Sequence, residues 1–421
     1  MAAKTEAPET DIPIPAVVRR NTLLLALAQA IVGTGMQLVP SLGAVQVVML
    51  TGSSTLSGAA TSLLGFARML VAYPVGRLTD ARGRKVGLYL GLWLALAGAL
   101  ITGEATLLKS LWLFGLGMLV FGAGVGASQQ LRVAAADMYP TSRRSEGISL
   151  VLMGSLLGAG LSPLLVNFAE RLAPATGVSA LALAWFMVPL LIAPSFGLLF
   201  AVRPDPREIA LDLEAYYPTL AKTPYISPGQ KTVSQNAVAR RAGIAAGVAA
   251  QGQMAMIMAM TSLALHNHGH AFSLISVSVA LHVAGMFAFT WPLGRLSDRL
   301  GRKPLILAGL AAAALGALLV GLSSGYWTIT LGTFFVGLGW SGAFVGATSI
   351  ITDVTPAAER GKGVGLLDFW SSLAGVILPL AGGVMVETSG FAMLALFGVL
   401  LLAYPALLVW RLKETSPGSY G

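Results

Sequence analysis

Gly76-Arg77-Leu78-Thr79-Asp80-Ala81-Arg82-Gly83-Arg84-Lys85 recurs 218 residues later as Gly294-Arg295-Leu296-Ser297-Asp298-Arg299-Leu300-Gly301-Arg302-Lys303. Each copy follows a long apolar stretch and precedes another, so each reads as a tight cationic loop between two membrane helices. A motif repeated once per half makes the chain a duplicated membrane protein.

Composition agrees. With 55% hydrophobic and 11% charged residues and a mean hydropathy of +0.76, a 421-residue soluble domain would lack polar surface. The net charge of +9 does not indicate a nucleic-acid partner, because the bases sit in short clusters between apolar runs with no aromatic interleaving. The chain has no cysteine, which excludes disulfides and thiolate chemistry. Residues 1-20 carry Glu6, Glu9, Asp11 and three prolines rather than the charged, apolar and small-residue regions of a signal peptide, so the first helix is expected to be retained.

Apolar runs long enough to cross about 30 Å of hydrocarbon fall near 21-49, 57-76, 86-107, 110-132, 147-168, 180-202, 241-265, 271-293, 304-323, 326-352, 361-386 and 390-411. The expected fold is an all-α integral membrane protein with twelve transmembrane helices in two pseudo-symmetric six-helix bundles. The expected organisation is an N-terminal tail at 1-20, bundles at 21-202 and 241-411, a linker at 203-240 with a short helix around Glu208 to Tyr217, and a C-terminal tail at 412-421. With both termini cytoplasmic, only Lys109 and Arg171 of the 27 Lys and Arg fall in external loops, which by the positive-inside rule sets the orientation in a bacterial inner membrane.

The duplication reaches past the signature. Asp137-Met138-Tyr139-Pro140 with Arg144 recurs as Asp353-Val354-Thr355-Pro356 with Arg360, and Pro163 recurs as Pro379, all offset by 216. On these residues the chain resembles the major facilitator superfamily of transporters over its whole length. The second loop carries that family's Gly-x-x-x-Asp-Arg-x-Gly-Arg-Lys motif at every position, and the first departs only at Ala81. Gly375 to Gly383 resembles the exporters' Gly/Pro-rich motif, displaced from the fifth span to the eleventh, and the family's arginine in the fourth span is replaced by Met118. The resemblance implies that Asp80 meets the start of the eleventh span (Gly361, Gly363) and Asp298 the start of the fifth (Ser145, Gly147). A carboxylate against a helix N-terminus is worth about 0.3 to 1 kcal/mol, enough to bias which side is open. Gly76, Arg84, Lys85, Gly294, Gly301, Arg302 and Lys303 complete the loops as part of the switch or as anchors at anionic headgroups.

Ionisable residues at membrane depth are functional candidates. Arg68 and Asp368 each lie about 11 Å from the cytoplasmic ends of the second and eleventh spans at 1.5 Å per residue, which suits a gating ion pair; a snorkelling arginine and a locally capping aspartate are the other reading. Arg132, beside Gln129 and Gln130, reads as snorkelling. Gln29, Gln37, Gln251 and Gln253 either line a polar cavity or bond across helices.

In the seventh and eighth spans Met254 with Met258, and His282 with Met286, share helical faces at i,i+4 spacing and stack through the midplane. Thioether and imidazole together select Cu(I), and the pattern resembles that of bacterial copper importers of this superfamily linked to cytochrome oxidase assembly. The open alternatives are His282 as a proton or organic-solute contact and methionines as gap-filling core. His266, His268 and His270 form either an external metal-collecting cluster or a solvated loop.

No phosphate-binding loop is present. The expectation is therefore a secondary transporter working by alternating access, not an enzyme, without cofactor, monomeric in the lipid bilayer. Its substrate is a copper ion entering the cell or, alternatively, a small organic compound moved by a proton-coupled carrier or exporter.

Overall fold

In this computed structural model residues 13-140, 143-218, 233-354 and 360-412 are described. The described residues form helices without strands. The N-terminal half comprises α1 (Ala16–Met36), α2 (Leu38–Thr51), α3 (Ala59–Arg82), α4 (Arg84–Leu107), α5 (Leu111–Ser128), α6 (Gln130–Asp137), α7 (Arg144–Thr176) and α8 (Ala180–Ala201). Two short helices, α9 (Pro206–Leu211) and α10 (Leu213–Tyr216), follow where a single one is expected. The C-terminal half comprises α11 (Val233–Asn267), α12 (Phe272–Phe287), α13 (Thr290–Leu300), α14 (Arg302–Leu322), α15 (Tyr326–Val354) and α16 (Arg360–Trp410).

Several spans are built from broken helices, and the sequence supplies the breaks. Pro40 and Pro292 cannot donate to the carbonyls four residues earlier, so α1 gives way to α2 and α12 to α13 just before them. Among the described residues eleven continuous segments are long and apolar enough to cross a membrane. The last of these, the 51-residue α16, is interrupted at Gly390 with φ 78° and ψ 177°, a conformation open to glycine, and the break restores the expected twelve spans. The first span starts at Ala16, directly after Pro15, rather than at 21, because the apolar Ala16, Val17 and Val18 already pay for helix and Val18 is fully buried.

The signature loops are single-residue joints. Gly83 (φ 99°) ends α3 and starts α4, and Gly301 (φ 97°) does the same for α13 and α14. Positive φ at both explains why the motif has glycine there. The face carrying these joints is called the motif face below, and its opposite the far face.

Within each half, small residues bring helices close, as membrane packing requires. A Cβ on Gly117 of α5 would come 2.9 Å from the Thr102 amide of α4, and one on Gly332 of α15 2.9 Å from the Gly316 carbonyl of α14. The N-terminal core is filled by Trp185, Phe114, Phe121 and Tyr139, all essentially unexposed, with Phe121 edge-on to Trp185 at 5.3 Å.

The halves meet near the far face. Ser62 of α3 donates to the Val376 carbonyl of α16 at 2.6 Å, and Ser57 to the Met260 sulfur of α11 at 3.2 Å. A Cβ on Gly383 would come 2.6 Å from the Thr55 carbonyl, and one on Gly58 would overlap the Pro379 carbonyl. Along α3 this contact loosens: at Gly65 a Cβ would stand 3.3 Å from Val376, and at Gly76 no described atom lies within 4 Å. Gly294, its counterpart in the C-terminal half, is likewise open among the described residues.

This taper makes a specific prediction. Gly58→Ala forces a methyl into backbone and should cost about 1 to 3 kcal/mol of overpacking, read as a lowered thermal midpoint of the purified protein. Gly76→Ala should leave the midpoint unchanged; equal midpoints for the two variants would remove the α3–α16 contact.

Candidate functional site at the seam between the halves

The motif bases are held inside their own halves. Arg84 Nε donates to Asp137 at 2.6 Å and its Nη1 to the Thr79 hydroxyl at 3.0 Å. Arg302 repeats this with Asp353 at 3.2 Å and Ser297 at 3.0 Å. Lys85 Nζ donates to the Val202 carbonyl at 2.9 Å, and Lys303 Nζ to the Leu412 carbonyl at 3.1 Å. Charge-assisted bonds of this kind are stronger than neutral ones, and here they fasten the joint between two spans to the end of a third. The duplicated Asp137 and Asp353 were visible in the sequence as a repeat; their role as partners of the motif arginines was not. The side chains of Asp80, Asp298 and Ser145, and residues Gly361 and Gly363 expected to meet Asp80, lie outside what is described.

Asp205, at the N-cap of α9, also accepts from the backbone amides of Arg84 at 3.1 Å and Lys85 at 3.2 Å. Since Gly83 has no side chain to cap α4, a connector residue does so. Tyr217 donates to the Met138 carbonyl at 3.0 Å, and burial pushes its phenol well above the ordinary range.

At membrane depth the seam carries three charges. Arg68 of α3 and Asp368 of α16 make no ion pair with each other among the described residues. Arg132 and Asp368 are exposed and Arg68 is half-buried.

Within the C-terminal half, aromatic rings gather between α11, α12 and α15. Trp340 stacks on Phe344 (5.1 Å, 17°) and meets Phe287 edge-on (6.1 Å, 70°). Its indole N–H donates to the Gln251 amide oxygen at 2.7 Å, which fixes the ring plane. Trp340 and Phe344 are i,i+4 on α15, so they present one face, and all four residues are half-buried. Gln251 stands beside Gly375 of α16, within 3.9 Å of where its Cβ would be. Sequence reasoning had singled out Gln251 but not the rings. Toward the motif face, a shallow, open groove between α11 and α16 is lined by Arg241, Ile244, Ala245, Val248 and Trp370.

The Met and His side chains of the seventh and eighth spans have the following surroundings. His282 is buried and its Nδ1 donates to the Thr333 carbonyl of α15 at 2.8 Å, with Gly337 opening the space beside its ring and backbone. Ser278 and Thr333 extend this polar contact at 3.2 Å. His282 is thus committed to α15, and no hydrogen bond joins it to a methionine sulfur among the described residues. Met256 and Met260 are the methionines packed on Gly382 of α16. Met258 is buried, Met254 packs on the core they share, and Met286 is half-buried. The external histidines separate likewise: His266 stacks on Phe272 at 5.4 Å, His268 Nδ1 meets the Ala264 carbonyl at 2.6 Å, and His270 is edge-on to Tyr326 at 5.2 Å. Among the described residues no three His, Cys, Asp or Glu converge on a common point.

A family model described as Major Facilitator Superfamily matches residues 242–421. The uncharacterized MFS-type transporter YdeG of Bacillus subtilis is 26% identical, covering 93% of this chain and 92% of its own length. The riboflavin transporter RfnT of Brucella anthropi is 28% identical, covering 83% and 85% respectively. The crystal structure of a peptide transporter, POT, shares the fold with a TM-score of 0.66 at 17% identity, covering 95% of this chain and 96% of that one. The C-terminal half thus matches the Major Facilitator Superfamily model, and the chain is similar over nearly its whole length to a transporter of that type and shares the fold of the solved transporter.

Proposed function

We propose that this protein is a secondary carrier of small, planar, amphipathic organic solutes, working by alternating access. The observation that carries this reading is the Phe287–Trp340–Phe344 face, oriented by Gln251. Half-buried rings give a π surface for a flat solute, and Arg68, Arg132 and Asp368 supply charge at membrane depth. Sites of this type are largely apolar with a few placed polar groups. The resemblance to a riboflavin transporter over most of both chains points the same way.

Import of copper is the weaker reading. The Nδ1 bond to Thr333 leaves Nε2 of His282 free for a metal, but the resemblance over most of both chains is to a carrier of an organic solute. In the proposed orientation the motif face is cytoplasmic, in a bacterial inner membrane, and the described conformation is closed on the outside. Arg68 and Asp368 pair in the opposite state, when the motif face closes, and Asp368 is the carboxylate at depth through which proton coupling would run.

Riboflavin is the first probe. Purified protein should quench its tryptophan fluorescence saturably on riboflavin titration. Trp340→Ala should weaken binding about tenfold, the scale of one aromatic contact. Cells with and without the protein should differ in accumulated riboflavin and not in copper. A copper content that follows the protein and is lost in His282→Ala, with no riboflavin effect, would reverse the assignment.

The alternating pair makes a second prediction. Arg68→Gln and Asp368→Asn should each slow transport, and the charge-swapped Arg68→Asp/Asp368→Arg protein should recover part of the rate. Additive losses without coupling would mean the two residues act separately.

A further inference from the structure

At the far face each half presents a carboxylate to the other. Glu170, near the end of α7, accepts from the backbone amides of Phe272 at 2.7 Å and Ser273 at 3.4 Å, the first two residues of α12. Glu387, on α16 just before the Gly390 break, accepts from the Ser54 amide at 2.8 Å and from the Ser54 hydroxyl. Ser54 opens the helical turn Ser54–Leu56 that leads into α3. The two carboxylates are 217 residues apart and the two acceptor-seeking amides 218, which is the offset of the internal repeat. One contact is therefore the pseudo-symmetric image of the other.

The chemistry at the amide ends shows why the carboxylates matter. The first amides of a helix have no partner within it and carry the positive end of its dipole. At α12 the N-cap residue is Ala271, which has no side chain able to cap; the cap is supplied in trans by Glu170. At the other contact Ser53 caps Thr55 from within the turn, and the Ser54 amide is left for Glu387. Each carboxylate thus completes a helix start that belongs to the opposite half. The Glu387 contact sits beside close backbone approaches between the halves, at Gly58 with Pro379 and Gly383 with Thr55, and the Glu170 contact lies where α7 packs on α12.

We propose that Glu170 and Glu387 form a twofold latch that holds the far face closed, the counterpart at that face of the carboxylates in the motif loops. To open, the halves must withdraw both carboxylates from both helix starts together, so the latch sets the fraction of molecules open on that side. Both residues are positioning residues for the transport cycle, with no contact to solute. The idea rests on the alternating-access reading above, but its test does not require a solute.

The absence of native cysteine allows single reporters without background. Ser57→Cys and Ser276→Cys report from the two gates, since each serine is 1% exposed in the closed face. Each reporter is treated with a membrane-impermeant maleimide in intact cells and in inside-out vesicles. With native glutamates both should label slowly in intact cells. Glu170→Ala and Glu387→Ala should each raise labelling of both reporters about tenfold, the scale of one hydrogen bond to a charged group, because the halves move as units. Glu387→Gln, which keeps an acceptor oxygen without the charge, should fall between. Glu104→Ala, which removes a carboxylate from the far end of α4, should change nothing.

Unchanged labelling in both alanine variants, or an equal rise with Glu104→Ala, overturns the latch. A rise confined to inside-out vesicles supports the latch and overturns the orientation. The expected rise without riboflavin movement in any variant likewise supports the latch and overturns the proposed solute.

Discussion

In hydrocarbon a backbone amide or carbonyl without a partner costs several kcal/mol, and this requirement governs the whole structure. It makes every crossing segment helical and turns membrane-depth hydroxyls back on their own helices: Thr34 bonds Ala30, Thr102 bonds Gly98, Ser128 bonds Gly124 and Thr261 bonds Ile257, each through the carbonyl four residues earlier. Free backbone donors then remain at helix starts. Those starts are where this protein places its acids: Asp205 under α4, Glu170 under α12 and Glu387 under the turn before α3.

Duplication repeats each solution and so separates what is architectural from what is specific. The arginine–aspartate–hydroxyl triads of the two loops, the lysine–carbonyl contacts beside them and the far-face carboxylates occur in both halves. The ring cluster around Trp340 has no such image. In the N-terminal half the comparable indole, Trp185, is buried and donates to Gln46 at 2.9 Å, sealing a core. An unequal pair of inner surfaces is what a carrier needs if one half is to read the solute and the other to supply charge.

The twelve spans were legible because apolar length is a one-dimensional property, and the loop glycines because positive φ leaves a compositional mark. Helix rotation was not. When lipid and core are both apolar, periodicity no longer separates buried from exposed faces, so spacing alone did not reveal the bond from His282 to Thr333. Contacts between residues as distant as Ser54 and Glu387 leave no local trace at all. Their one trace is the repeat offset, which relates Glu170 to Glu387 as it relates Asp137 to Asp353 and Pro163 to Pro379. The Gly390 break was legible too, because the polar Glu387-Thr388-Ser389 before it interrupts the apolar run.

The connector between the halves begins stitched down. Arg20 and Asn21 hold the Arg203 carbonyl, Asp205 grips the start of α4, and Tyr217 is tied to Met138. Mechanically this stretch travels with the N-terminal half as a stiff lever, and through Asp205 a pull on it is delivered straight to the Gly83 joint, which gives whatever grasps the connector a handle on the hinge.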